Sequence, residues 1–378
     1  MDTFKITTWN VEHADKTLKG LDSANASTRR NAERKIKAIR DEISEIDPDI
    51  LFLCEGPKGE ERAERYFAEA APGYELVRRG DPEGKSYGVQ GTQWLWFLHK
   101  KNFPFKMDLL PVKTWQAFTE EESAGRSENG RWYASLPQFN RNSRKVLPAK
   151  LDRHGHYRHP QVAFFEYKGK RIELVGVHLK SKFVNQRHPA LRWKKPVSEK
   201  FQDIRKAIEA SPGYVTESAK ARAKLSSEAS DIRNYIERRF SQEKDPAILL
   251  MGDVNDGPGK ELFEDWFLLH DLIGNLQGDV FFARRFLNHA LFDLPDHLRW
   301  SVEFADQVTP HRSPFILLDH ILFTQPMSGR DACPLRVMPH AGRVEHDIHE
   351  RINSLLPGGV TTSDHRPVSV VLTESVPD

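Results

Sequence analysis

The apolar run Ile50-Leu51-Phe52-Leu53-Cys54 passes directly into Glu55-Gly56-Pro57. The same design returns at Pro246-Ala247-Ile248-Leu249-Leu250-Met251, which is followed by Gly252-Asp253-Val254-Asn255-Asp256 and the turn cluster Gly257-Pro258-Gly259. Apolar runs this short, stopped by turn residues, read as buried strands. A carboxylate at the mouth of such a strand costs energy unless it is paired or metal-bound. The plain alternative is an Asx-rich turn at 252–256, and at Glu55 a strand-end acid that reaches solvent. Other strand ends decide between these readings.

Residues 4–11 alternate and are rich in β-formers, which predicts a strand ending near Asn10. Ala32, Ile36, Ile39, Ile43 and Ile46 recur at three- and four-residue steps, predicting a helix that Asp47-Pro48-Asp49 breaks. Residues 94–98 read as a core strand, and 162–167 and 171–178 as strands paired through Lys168-Gly169-Lys170. A helix is expected from about 216 to 240, and 261–267 starts a short one. Residues 315–323 form a strand interrupted by Asp319-His320, and 368–372 a closing strand. Between them lie two insertions, at about 111–159 and 274–314. The first reads as partly irregular, packed through Trp115, Trp132 and Tyr133.

A formal net charge of +2 over 378 residues makes no case for a nucleic-acid partner. The distribution says more, because basic residues outnumber acidic ones between about 140 and 206. Arg141, Arg144, Lys145, Lys150, Arg153, Lys194 and Lys200 are examples; such a stretch is either a solvated face or a rim that attracts phosphates. Only Cys54 and Cys333 occur, too few for a disulfide framework, and Cys54 reads as a reduced core thiol. With neither a leader pattern nor an apolar run long enough to span a bilayer, a cytoplasmic protein is expected. His340, His346 and His349 lack metal-ligand spacing and read as surface residues.

A polar residue recurs at the end of each apolar strand: Asn10, Glu55, His178, Asp253 with Asn255, Asp319, and Asp364 with His365. Strands that end on one side of a sheet can gather these into one cleft. An oxygen-rich set suits a hard cation such as magnesium or manganese rather than zinc. No Cys-His zinc pattern, glycine-rich nucleotide loop or serine nucleophile elbow is present. Metal-assisted hydrolysis of a phosphate ester would use the whole inventory.

At this point the sequence resembles the endonuclease/exonuclease/phosphatase superfamily, in its pancreatic-type deoxyribonuclease-like, bacterial form. The matching pieces, in family order, are Thr8-Trp9-Asn10-Val11, Leu53-Cys54-Glu55, Val177-His178-Leu179-Lys180-Ser181, Gly252-Asp253-Val254-Asn255-Asp256, Leu318-Asp319-His320-Ile321-Leu322 and Ser363-Asp364-His365-Arg366-Pro367-Val368. The resemblance implies an α/β fold, a four-layer α/β sandwich of two mixed β-sheets packed face to face with helices outside. It also implies one domain over residues 1–378, enlarged by the two insertions. By the same resemblance Glu55 is the principal metal ligand, with Asn10 and Asp364 helping to hold metal or its waters. Asp253 orients or deprotonates the attacking water, Asn255 and His178 bind the scissile phosphate, and Asp319 orients His365. Lys180 and Arg222 are expected as secondary phosphate contacts. Val254 stands where an aromatic is usual, and His178-Leu179 where abasic-site endonucleases carry an Asn-containing motif, which ranks a repair enzyme below a general nuclease or phosphoesterase.

The expected function is therefore a magnesium- or manganese-dependent phosphodiester hydrolase, foremost a nuclease on DNA or RNA. A phosphatase or phosphoesterase of small phosphorylated or lipid-derived substrates is the alternative. A non-catalytic nucleic-acid-binding module ranks last, since no acid or His of the set is missing.

Overall fold

A computed structural model describes residues 1–122, 127–128, 130–182, 184, 206, 210–258, 264, 272–304, 312–329 and 332–375. From the N-terminus, β1 (Thr3–Asn10) leads through helices α1 (Ala14–Leu21) and α2 (Ala26–Ile46) to β2 (Ile50–Gly56). Helix α3 (Glu60–Ala70), β3 (Tyr74–Leu76) and β4 (Trp94–Lys100) follow. Next come β5 (Asp108–Leu109), α4 (Val112–Glu122), β6 (Ser127–Glu128), β7 (Arg131–Asn140) and β8 (Lys145–Gly155). The hairpin β9 (Gln161–Tyr167) and β10 (Lys170–His178) precedes the long helix α5 (Pro212–Gln242) and β11 (Ala247–Asp253). After α6 (Leu272–Gln277) and the short strands β12 (Leu287–His289), β13 (Val302–Glu303) and β14 (Phe315–Ile316) comes β15 (Asp319–Thr324). β16 (Leu335–Val344), α7 (His346–Ser354) and β17 (Val368–Glu374) complete the fold.

Twelve of the strands form two six-stranded sheets, ordered β16-β17-β1-β2-β4-β3 and β12-β15-β11-β10-β9-β5. Both are mixed: β1 runs parallel to β2 and antiparallel to β17, while β11 runs parallel to β10 and antiparallel to β15. β2 and β11 are buried along almost their whole length because each is covered on both faces. Between the sheets, Ile6, Phe52 and Phe97 from one pack with Leu174, Met251 and Ile321 from the other. Outside the first sheet, Ile36, Ile39 and Ile43 of α2 meet Leu51, Leu53 and Trp96. Outside the second, Leu225, Ile232 and Ile236 of α5 meet Val175, Val177 and Leu250. The arrangement is a four-layer α/β sandwich.

Two features carry the fold toward a site. Register places Asn10 beside Cys54, His178 beside Asp253, and Asp253 opposite Asp319, so the polar strand ends come together. Gly252, at φ +133°, lets β11 lie close: a Cβ there would stand 1.9 Å from the Val177 carbonyl oxygen and 3.0 Å from the Phe52 ring.

Some sequence expectations are corrected. The first insertion is not irregular, since β7 and β8 make a long antiparallel hairpin pairing Arg131 with Gly155 through to Asn140 with Lys145. His346 and His349 are buried rather than on the surface: His346 Nε2 lies 2.8 Å from the Leu298 carbonyl, and His349 Nδ1 lies 2.7 Å from Glu42 Oε1. Only His340 is exposed. The strand expected over 315–323 is broken between Ile316 and Asp319. The short helix expected at 261–267 lies outside the described residues apart from Glu264, as do Lys194 and Lys200.

Candidate active site

Asp253 closes β11 and is fully buried among polar partners. Asn10 Nδ2 donates to its Oδ2 at 3.0 Å, and the Asn255 backbone N–H donates to its Oδ1 at 2.9 Å. His178 Nε2 stands 3.4 Å from Asp253 Oδ2, and His365 Nε2 stands 4.0 Å from the same atom. Burial, with Asp319 adding its own negative charge and His365 opposing, pushes the Asp253 carboxyl up to about 7. That is the range in which a carboxylate can exchange a proton with water near neutral pH.

Asp319 Oδ2 lies 2.7 Å from His365 Nδ1. Burial alone would lower the imidazole, but Asp319, Asp253 and Asp364 outweigh it and raise the ring to about 10. That balance favours the imidazolium at neutral pH. The two partners are held by different elements that Ser301 and Ser363 tie down. Ser301 Oγ accepts the Leu318 and Asp319 N–H groups, while Ser363 Oγ donates to the Asn10 carbonyl at 2.6 Å and accepts the His365 N–H. Trp9 Nε1 donates to the His365 carbonyl at 2.9 Å.

His178 is held neutral, well below the ordinary imidazole range, by burial first and then by the charges of Arg158, His365 and His13. Arg158, buried, anchors the end of β10: its Nε donates to the His178 carbonyl at 3.2 Å and its Nη2 to the Leu179 carbonyl at 3.3 Å. Asn255 sits at φ +56°, and its Nδ2 donates to the Leu179 carbonyl, leaving the second amide hydrogen for another acceptor. Val254 between them is buried in the core.

Glu55 stands at φ +59°, a conformation that costs a non-glycine residue about 1 kcal/mol or more. The turn carries its carboxylate toward His13, whose backbone N–H and Nδ1 lie 3.0 and 2.8 Å from Oε2. Gln93 continues the chain of contacts, reaching His13 Nδ1 at 3.2 Å and accepting from Arg158 Nη1 at 3.0 Å. Asp364 is mostly exposed, its Oδ1 4.0 Å from His365 Nε2.

Lys180 lies just past β10, with its backbone N–H bonded to Glu228 Oε2 at 2.8 Å. Arg222 faces a different set of groups. Buried in α5, it donates to the Ser218 carbonyl and stands 3.7 Å from Glu264, which also pairs with Lys182. Lys182 in turn binds Asp256, which is a buried member of this ion-pair chain. His13, Gln93, Arg158 and Ser301 had no strand-end position in the sequence. Only Arg158, at the mouth of the β9–β10 hairpin, carried a recognisable signal.

Among the described residues, one cluster brings possible metal-ligand atoms together. Asp253, Asp319 and His365 offer atoms within 4.8 Å of one another. An imidazolium has no lone pair to give, so this cluster suits proton handling better than metal binding. Glu55, Asn10 and Asp364 offer only oxygens. Asn10 Oδ1 accepts one hydrogen bond, from Glu12 N–H at 3.1 Å, and keeps a second lone pair. Oxygen donors of this kind are what a hard divalent cation takes.

A mixed α/β sandwich with carboxylates, amides and imidazoles gathered where its strands end defines a hydrolase-like class of site. The family model described as the endonuclease/exonuclease/phosphatase family matches residues 7–365, and the chain belongs to that family. Members hydrolyse phosphodiesters and other phosphate esters, generally with a divalent metal. No curated protein matches the sequence. Among solved structures, truncated Caenorhabditis elegans TDP2 is 11% identical, with TM-score 0.45, covering 98% of this chain and 97% of that one. Danio rerio TDP2 complexed with a single-strand DNA product is 14% identical, with TM-score 0.45, covering 99% and 100%. A mannosyl-6-phosphatase from Bacteroides thetaiotaomicron is 14% identical, with TM-score 0.45, covering 98% and 99%. What those proteins act on is a property of theirs.

Proposed function

We propose that this protein is a magnesium- or manganese-dependent phosphodiesterase whose substrate is nucleic acid. The observation that carries the reading is the convergence on Asp253: Asn10, His178 and His365 surround one carboxylate whose affinity for protons lies near neutrality. Asp253 takes the proton of the attacking water. Asn10 and the Asn255 N–H each hold one carboxylate oxygen and so fix its orientation. His178, through its Nε2–H, and Asn255, through its remaining amide hydrogen, hold the scissile phosphate. His365, kept protonated by Asp319, balances the charge that builds on the phosphoryl oxygens. Glu55, Asn10 and Asp364 would hold a divalent cation, which would supply further neutralisation of that charge when bound.

The nucleic-acid preference rests on the basic hairpin β7–β8. Arg141, Arg144, Lys145 and Lys150 lie exposed on it. Plasmid DNA, RNA and a phosphate monoester, assayed side by side with magnesium and with chelator, test the reading. Metal-dependent cleavage of DNA or RNA that Asp253→Asn abolishes is the expected result. Release of phosphate from the monoester with both polymers intact would replace it by the phosphatase reading.

A further inference from the structure

A cavity of about 820 Å³ opens on the His178 side of the cleft, and the hydrolytic step uses only its His178 edge. That volume is in the range of small-molecule sites, large enough for a nucleotide. Its outer wall is the hairpin β7–β8, fixed in place by α5. His154 Nε2 lies 3.0 Å from Glu228 Oε1 and His156 Nε2 lies 2.9 Å from Asp231 Oδ2. The wall is thus a built part of the fold.

The lining is strongly cationic. Arg131 and Arg153 come from the hairpin, Lys224 from α5, Lys85 from the loop before β4, and Arg158 and Lys180 from the His178 end. Among the described residues the only carboxylate in the lining is Glu228, and its oxygens already meet His154 and the Lys180 N–H. Burial lowers the Lys180 ammonium; Glu228 opposes this, while the neighbouring charges of Lys224 and Arg158 add to it. Cations gathered against one another favour an incoming anion.

Shape agrees with charge. Gly155 has no side chain, and a Cβ there would come within 3.0 Å of Arg131 Cγ, so glycine leaves Arg131 room to lie across the strand. Tyr157, 46% exposed, lines the cavity beside Gly91, with the Arg158 guanidinium over its ring at 5.7 Å.

We propose that this cavity is a subsite for a second phosphate on the molecule whose ester is cleaved, with Arg131 and Lys224 as its chief cations. The inference rests on the phosphodiesterase reading and narrows its substrate to molecules carrying at least two phosphates. These are a nucleotide chain with its next backbone phosphate, or a small bisphosphate.

Isothermal titration in chelator, where no turnover occurs, tests it with the full chain. Thymidine 3′,5′-bisphosphate is compared with thymidine 5′-phosphate, and a hexose bisphosphate with its monophosphate. Charge-assisted hydrogen bonds predict that a bisphosphate binds at least about tenfold tighter than its monophosphate. The double substitution Arg131→Ala with Lys224→Ala removes the advantage; both side chains reach the surface, and their loss leaves the core intact. An advantage confined to the nucleotide pair places a polynucleotide's next phosphate in the cavity, and one shared by the hexoses places a small bisphosphate there. Equal affinities within both pairs, or an advantage that survives the double substitution, overturns the proposal. Preferential bisphosphate binding by a protein that hydrolyses no ester would sink the phosphodiesterase reading and leave the subsite standing.

Discussion

At the residue scale, the account turns on what surrounds a single carboxylate. Asp253 is fully buried, which drives its proton affinity up, yet it accepts hydrogen bonds from Asn10 and Asn255 that hold it in one orientation. Replacing it with Asn keeps the volume and removes the base, so turnover should drop by about 10²-fold or more with little change in folding. Steady-state kinetics with a thermal unfolding control read both. Asp319 acts through His365 and is a positioning residue. Asp319→Asn should lower kcat and bring the His365 imidazole down toward its ordinary range, visible as a moved proton NMR titration. An unmoved titration would remove Asp319 from that role.

At the element scale, strand ends were legible because apolar runs and the acids that stop them are local patterns. β2, β10 and β11 end where the sequence placed them, at Gly56 just past Glu55, at His178 and at Asp253. The hairpin β7–β8 was not legible. Its strands are exposed on much of their length, so their residues lack the apolar alternation that marks a half-buried strand. What fixes the hairpin is contact with α5 through His154 and His156, which no local pattern announces. The burial of His349 was hidden for the same reason. Its partner Glu42 lies far away on α2, and the pair closes α7 over β1, where the His349 ring meets Trp9 edge-on at 6.5 Å. Glu42 is wholly buried, so His349→Ala strands a carboxylate in the core and should cost about 3 kcal/mol of stability in urea unfolding. Glu42→Gln with His349→Ala should recover part of that loss. A single variant as stable as the parent would show that the pair does not matter.

At the scale of the whole molecule, the two-sheet sandwich brings together groups that titrate in opposite directions. His159 is depressed to about 3, by burial first and by His156 second, from an ordinary value of 6.5. Below about pH 6.5 the unfolded chain takes up a proton that folded His159 refuses, so stability falls as pH drops toward 3. His365, raised to about 10 in the fold, contributes stability that is complete below 6.5 and lost as pH rises through 10. Chemical denaturation of parent and variant across pH isolates the contribution of each group. His159→Gln should flatten the acid limb by about 2 kcal/mol at pH 5 and leave the alkaline limb in place.

The same packing makes the site a product of the whole chain. Asn10 and Glu55 come from one sheet, His178, Asp253 and Asp319 from the other, and His365 from the loop before β17. The strand-end pattern and the family resemblance singled out these residues. Their meeting depends on parallel registers that set His178 beside Asp253 and Asn10 beside Cys54. The central claim is that this meeting point cleaves phosphodiesters with a divalent ion, and one assay addresses it directly. Purified protein is incubated with a labelled oligonucleotide in magnesium, with and without chelator, beside Asp253→Asn. The account predicts cleavage that chelator stops and that the substitution reduces by about 10²-fold or more. Cleavage that persists undiminished in Asp253→Asn would contradict it.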